Sequence, residues 1–501
     1  MAVSISTFIS DLLQLDIVRN QDIRLDRLGI TSIQAMTLLT WLRSEYGAEV
    51  RIEYLSKDGV SVRSLAQAVR ATSEELESAV DFEKEVRQIT QTLHIQLRQN
   101  LQCAVNRDLD LADSATTSIL LTGGNGFLGI EILRQLLVQP AVRFVCVLIQ
   151  TSNQKDGLQR LQRALLASGH RWDSTWDERV TVWPGDLKQP RLGLQSEHWA
   201  HLSSGKINTI VHNGALVRYN LCYEKLKSVN VLSTVEILRA NCSSQRPINF
   251  VYVSGGQRLS PHDESSETAR LQHAAKSTGY SQSKLVSELV VSRLATAFAD
   301  ARGHQLRVIR PGYIIGSPNR GIANTRDYIW RVVAGAIEAG IMSRPRDNEW
   351  MFICDVEQVA KIIISNCSIP SLANTHNETD TVIPIMDGVY LADIWDLLGH
   401  ELQYTLRAVD SAEWWSRLRH FVEQQGDCHP LWPLFFLLNP EQGAFTCVWK
   451  SDTSVASQAL VAEAIRCNVR HLIETGFLPR PREGEPLRSI GVLRERPVRA
   501  R

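Results

Sequence analysis

The sequence predicts an α/β protein: a Rossmann-type, doubly wound parallel sheet with a helical C-terminal substrate lobe, preceded by a small helical bundle. Three observations predict it. Six short apolar or β-branched runs follow one another after Ser118, most of them separated by helix-like stretches. The first run ends in a glycine-rich turn that opens a helix. The first 72 residues instead carry apolar positions at helical spacing.

Length and charge narrow the function classes. The 501 residues suggest two to four domains at about 150 residues each. Lys plus Arg is 54 and Asp plus Glu is 54, which argues against a nucleic-acid partner. No apolar stretch is long enough to span a membrane. The start MAVSISTFISDLLQLD lacks a basic region and carries Asp11 and Asp16, unlike a signal peptide. Nine scattered Cys form no CxxC pair, which speaks against a disulfide framework or a metal site. The expectation is a reducing, cytoplasmic chain.

Within residues 1–72, Ile5, Phe8, Ile9, Leu12 and Leu13 mark a first helix. Ile33, Met36, Leu39 and Leu42 mark a second, stopped by Gly47, and Ser61 opens a third near Val62–Val69. Residues 73–115 are charged and helix-prone and read as a helical linker. From 116 to 312 the runs SILLT, FVCVLI, VTVW, TIVHN, INFVYVS and LRVIRP give the strands of a nucleotide-binding domain. Helical stretches dominate 313–480, the substrate lobe. Residues 481–501 read as a flexible tail.

The turn Thr122-Gly123-Gly124-Asn125-Gly126-Phe127-Leu128-Gly129 has glycines where the chain bends, where backbone approaches a pyrophosphate and where helix packs on strand. Free N–H groups at the helix start favour phosphate. Thr122, Gly123, Asn125, Gly126, Phe127, Leu128 and Gly129 are therefore candidate cofactor contacts. The second strand ends in Gln150-Thr151-Ser152, with no acid to meet a ribose 2′-hydroxyl. That points to NADPH, with Arg160 as a candidate partner of the 2′-phosphate.

Tyr280 and Lys284 stand four apart, on one face of a helix. An ammonium there favours the tyrosinate, and such a Tyr can protonate a carbonyl oxygen during reduction. Ser254 closes the strand INFVYVS and offers a hydroxyl beside Tyr280.

Together these residues resemble the extended short-chain dehydrogenase/reductase superfamily. Within it the chain is similar to the terminal thioester reductase domains of polyketide and non-ribosomal peptide synthases, over about residues 115–480. LLTGGNGFLG, GDL at Gly185–Leu187, HNGALVRYNLCYEKLKSVNV, YSQSK, RPGYIIGS and GFLPRP follow in order. The resemblance implies that Asp186 and Leu187 flank the adenine and that Asn213 lines the cofactor. Leu28-Gly29-Ile30-Thr31-Ser32-Ile33 resembles the attachment motif of acyl or peptidyl carrier domains. It implies 4′-phosphopantetheine on Ser32, placed there by a phosphopantetheinyl transferase.

Three positions depart from the family pattern. Thr31 precedes Ser32 where Asp or His is usual. Gln150 stands where many relatives have Arg. Ser254-Gly255 replaces a Ser-Ser or Ser-Thr pair whose second hydroxyl is catalytic.

The expected function is release of a tethered polyketide or peptidyl thioester by NADPH-dependent reduction to an aldehyde, with a second round giving an alcohol. Non-redox Dieckmann-type cyclisation is the alternative, and a non-catalytic module or a dehydrogenase of free substrates are weaker rivals. No adenylation, ketosynthase or condensation domain fits in 501 residues, so an upstream synthase supplies the acyl group. The start at Met1 favours a free-standing protein acting in trans over the end piece of a longer synthase.

Overall fold

The computed structural model describes residues 1–18, 20–48, 50–70, 80–102, 117–244, 246–255, 266–346, 348–367, 380–438, 445, 447–449 and 455–481. The expected tail after 481 lies outside them, as do residues 73–79 and 103–115 of the expected linker.

All six expected strands form: β1 (Thr117–Thr122), β2 (Val142–Ile149), β3 (Val180–Pro184), β4 (Thr209–His212), β5 (Asn249–Val253) and β6 (Gln305–Arg310). They pair in parallel in the order β3-β2-β1-β4-β5-β6, with the reversal of direction beside β1 that defines a doubly wound sheet. β1, β4 and β5 are buried along their whole length, which explains their continuous apolar runs.

Beyond residue 312 the structure corrects the expected boundary. Val382–Pro384 adds a seventh parallel strand beside β6. Helix Val356–Ser365 shares a core with β1, β2 and helix α5 (Phe127–Leu137), through Val359, Ile363 and Ile364. The nucleotide-binding layer thus reclaims chain that the weakening strand–helix alternation had assigned to the lobe. The lobe itself has the expected helices Tyr328–Ala339, Ser411–Gln425 and Val455–Glu474. It also has a small sheet centred on Glu349–Asp355, whose partner strands have only two or three residues each and do not announce themselves in the sequence.

The N-terminal bundle consists of α1 (Ala2–Leu13), α2 (Ser32–Tyr46), a 3-10 turn (Ile52–Ser56) and α3 (Val62–Ala68), around Ile5, Ile9, Leu38, Leu42 and Leu65. Its core is continuous with that of the C-terminal lobe.

Helix α4 (Phe82–Gln102) occupies part of the expected linker but is no spacer. Phe82, Val86, Leu93 and Leu97 recur at helical spacing and are buried in the core around Leu238, Phe250 and Leu294. Among the described residues no helix is long and apolar enough to cross a membrane, and no cluster of His, Cys, Asp or Glu is arranged to hold a metal.

Leu93 of α4 is fully buried where this helix packs on helices Leu232–Ser243 and Gly279–Arg302. Leu93→Ala is expected to destabilise the protein by about 2–5 kcal/mol, read by chemical denaturation.

Candidate active site

The glycine turn is built by close backbone approach. Gly123 has φ +69°, and a Cβ there would stand 2.7 Å from Gly214 Cα. A Cβ on Gly129 would collide with the Gly123 carbonyl. The N-cap of α5 is Gly126, which brings no side chain to the first N–H groups. Asn125 and Gly126 are exposed, Phe127 is half-buried, and Leu128 and Gly129 are buried. An exposed helix start without a side-chain cap fits a pyrophosphate.

Thr122 departs from its expected role. Its hydroxyl is fully buried, accepts from Gly214 N at 2.9 Å and meets His212 Nδ1 at 2.8 Å. The side chain joins the ends of β1 and β4 and is not presented to a cofactor. His212 also meets Thr234 Oγ1 at 3.1 Å and is held neutral, its pKa pulled down to about 3 by burial and by Lys284.

Beyond the end of β2 lies a hollow of about 540 Å³ lined by Gln150, Thr151, Ser152, Arg160, Asp186 and Gln189, among others. Arg160 is exposed at its rim and donates to the Gln150 carbonyl at 2.6 Å. Leu187 packs on Gly214, where an added Cβ would be 2.8 Å from Leu187 Cδ1. Asn213 Nδ2 donates to the Gly123 carbonyl at 3.4 Å. The hollow and the glycine turn together fit the adenosine and pyrophosphate of a dinucleotide.

Tyr280 and Lys284 lie in the first turns of helix Gly279–Arg302, capped by Thr278. Gly279 is required here, because any Cβ would strike the backbone of Leu221 and Cys222. Lys284 is almost fully buried, donates to the Val253 carbonyl at 2.6 Å and lies 4.6 Å from the Tyr252 ring centroid. Burial pulls its pKa down to about 7, against the opposing pull of Glu288. Burial pushes the Tyr280 phenol up to about 12. The expected lowering of Tyr280 is thus outweighed: desolvation dominates, and the phenol keeps its proton at neutral pH.

A Cβ built on Gly255 would stand 3.7 Å from Tyr280 Oη and 3.9 Å from Lys284 Cε. Position 255 therefore faces Tyr280 and Lys284, and in this chain it has no side chain. Ser254 does not take its place. Its buried hydroxyl donates to Glu288 Oε2 at 2.7 Å. Glu288 is itself buried and paired with Arg270 and Arg310, which with Ser254 hold its carboxyl below the usual range despite desolvation. The reading of Ser254 as a substrate-facing hydroxyl is corrected accordingly.

Two further residues escaped the sequence reading. Asn230 is buried, accepts from Leu216 N at 2.7 Å, and donates to the Leu216 carbonyl at 3.2 Å and to Ser283 Oγ at 3.0 Å. It ties the segment after β4 to the helix of Tyr280. That segment carries Tyr219, whose ring meets the Tyr280 ring edge-on at 5.2 Å. Both residues lie within a motif that was visible, but their roles depend on pairing across the fold.

In the bundle, Thr31 and not Ser32 caps α2. Its hydroxyl accepts from Gln34 N at 3.3 Å, and its N–H donates to Gln34 Oε1 at 2.9 Å. Ser32 is half-exposed at the helix start and free of capping duty.

Comparison with known proteins agrees with this geometry. Residues 4–69 match the family of phosphopantetheine attachment sites, and residues 121–363 match that of male sterility proteins. The chain is a carrier domain followed by a reductase domain of the male sterility family. It is 35% identical over 419 residues to the nonribosomal peptide synthetase-like enzyme fsqF of Aspergillus fumigatus, covering 82% of this chain and 27% of that one. It is 30% identical over 476 residues to N-benzoylphenylalaninol synthetase apmA of Penicillium brevicompactum, covering 93% of this chain and 19% of that one. The chain therefore spans less than a third of the length of these relatives. The PhqB reductase domain of Penicillium fellutanum superimposes with a TM-score of 0.60 at 28% identity, covering 77% of this chain and 99% of that one. An archaeal thiolation-reductase di-domain has the same fold, with a TM-score of 0.63 at 17% identity over 95% of this chain and 98% of its own. A carrier joined to such a reductase implies a phosphopantetheine arm, a nicotinamide cofactor and oxidoreductase chemistry.

Two outcomes are expected. Gly255→Ser adds a donor facing Tyr280 and raises kcat on a soluble thioester by about tenfold or more. Ser254→Ala instead lowers stability by about 1–3 kcal/mol, by leaving the buried Glu288 short of a donor. Steady-state kinetics beside denaturation curves separate the two.

Lys284 binds its proton below about pH 7 in the folded protein and up to about 10.5 when unfolded. The unfolded chain holds the extra proton across that interval, so this group makes stability rise with pH from 7 to 10.5. Denaturation at pH 7 and pH 9 should show the rise, and Lys284→Met should flatten it.

Proposed function

We propose that the protein releases a thioester carried on the arm of Ser32 by NADPH-dependent two-electron reduction to an aldehyde. The observation that carries this reading is the half-buried Tyr280 phenol facing position 255, with Lys284 beside it.

When bound, NADPH supplies the hydride that reduces the thioester carbonyl carbon. Tyr280 positions the carbonyl oxygen and gives it a proton as negative charge develops there. Lys284, its pKa pulled down to about 7 by burial, lies beside Tyr280 at position 255 and would replenish that proton and hold the nicotinamide ribose. Tyr219 backs the Tyr280 ring and limits its motion. The net change is thioester, NADPH and a proton to aldehyde, free thiol and NADP⁺. Arg160 and the acid-free end of β2 support NADPH over NADH.

An upstream polyketide or peptide synthase supplies the acyl group, and a phosphopantetheinyl transferase primes Ser32. One relative is named for an alcohol, N-benzoylphenylalaninol. A second round of reduction would reach that oxidation level here.

The test offers a soluble acyl-pantetheine thioester with NADPH, follows cofactor oxidation and identifies the product by mass. NADPH loss with aldehyde or alcohol is expected, falling by about 10²–10⁴ in Tyr280→Phe. A product at the acyl oxidation level without NADPH loss would replace this reading with Dieckmann-type cyclisation.

A further inference from the structure

The carrier domain is seated on both the nucleotide-binding domain and the C-terminal lobe, through polar contacts to the first and through both apolar packing and an ion pair to the second. On the nucleotide-binding wall, Cys222 N donates to Ser56 Oγ at 2.9 Å, and Arg51 Nη2 donates to the Ser277 carbonyl at 3.3 Å. Lys225 Nζ lies 2.6 Å from Asp58 Oδ1 and 3.3 Å from Asp26 Oδ2. On the lobe wall, Arg43 pairs with Glu423 at 3.1 Å, and α2 packs against the turn Trp432–Leu437.

These footprints flank the reacting groups. Ser277 lies three residues before Tyr280. Cys222 ends the segment that holds Tyr219 against Tyr280, and that segment nests on Gly279. Seated there, the carrier leaves the Ser32 hydroxyl half-exposed and without a capping role.

From this placement we infer that Lys225, facing the Asp26–Asp58 pair, is the charge-reading element of a docking surface that accepts this chain's own carrier for delivery. The inference rests on the tethered-thioester reading above and names the surface that reading requires. Lys225 is about a third exposed and Asp58 about two-thirds, so the pair adds little to affinity. Its effect is discrimination. Asp26 is also held by Arg24 at 2.8 Å, so the acid pair is preset before docking, and a carrier with neutral or basic residues there would leave Lys225 unpaired or repelled. Arg43 and Glu423 set the opposite sign on the lobe wall, which fixes the carrier's orientation.

The test compares Lys225→Glu with wild type in the full, phosphopantetheinylated chain, using an acyl group loaded on Ser32 and the same acyl group as a soluble pantetheine thioester. The variant is expected to lose roughly tenfold or more of tethered turnover, with soluble turnover unchanged. Adding Asp58→Lys should recover most of the loss. Hydrogen exchange in segments 222–230 and 432–438 should speed up in Lys225→Glu and slow again in the double variant. Unchanged tethered turnover with unchanged exchange would overturn the inference. So would an equal fall in tethered and soluble turnover, which would place Lys225 in the catalytic scaffold. If wild type reduces neither substrate while exchange still responds to the charge reversal, docking stands and the reductive reading fails.

Discussion

The active site depends on one buried amide. Asn230 closes a two-way exchange with the Leu216 peptide and reaches Ser283 with its remaining donor hydrogen. The Asn230 backbone carbonyl accepts from Ser287 Oγ at 2.9 Å and Thr234 Oγ1 at 3.2 Å. A buried amide with all its partners present is rigid, because breaking any one bond strands a polar group away from water. Ser283 sits between Tyr280 and Lys284 in sequence, so the register of helix Gly279–Arg302 against the segment bearing Tyr219 is fixed at this point. The Gly279 contact with Leu221 works only if that register is held.

Electrostatics at the site follow from this packing. Lys284 and Glu288 are successive turns of one helix, both buried, and the network treats them differently. Glu288 has two arginines and a serine hydroxyl and stays charged. Lys284 has a carbonyl and an aromatic face and is left near neutrality. A structural ion pair and a proton-active amine are thereby placed side by side without neutralising one another. The local Ser254 hydroxyl is drawn into the structural half of the arrangement, and Gly255 opens the reactive half.

What was legible in the sequence was local. The six strand runs, the glycine turn, the four-residue Tyr280–Lys284 spacing and the carrier helices are patterns a short window contains, and each recurs in the structure. What was not legible required knowing which distant segments meet. Ser254 could be assigned only by seeing Glu288, 34 residues on, take its hydroxyl. Thr122 looked like a cofactor contact until His212 and Gly214 were seen to consume it. The seventh strand, Val382–Pro384, has three residues and follows a long excursion through the lobe. The lowering of the Tyr280 pKa by Lys284 followed from spacing alone, and burial reversed it.

Helix α4 bears on how synthases exchange parts. It precedes β1 in the chain yet supplies Phe82, Val86, Leu93 and Leu97 to the reductase core, and its Glu85 bonds the Tyr223 hydroxyl at 2.9 Å. A segment exchanged together with this reductase core must therefore begin ahead of Phe82. A graft that joined a foreign carrier at residue 116 would uncover the apolar faces of helices Leu232–Ser243 and Gly279–Arg302, and aggregation would defeat it before any question of chemistry arose. A splice placed ahead of Phe82 keeps this helix and the reductase core together as one heritable cassette.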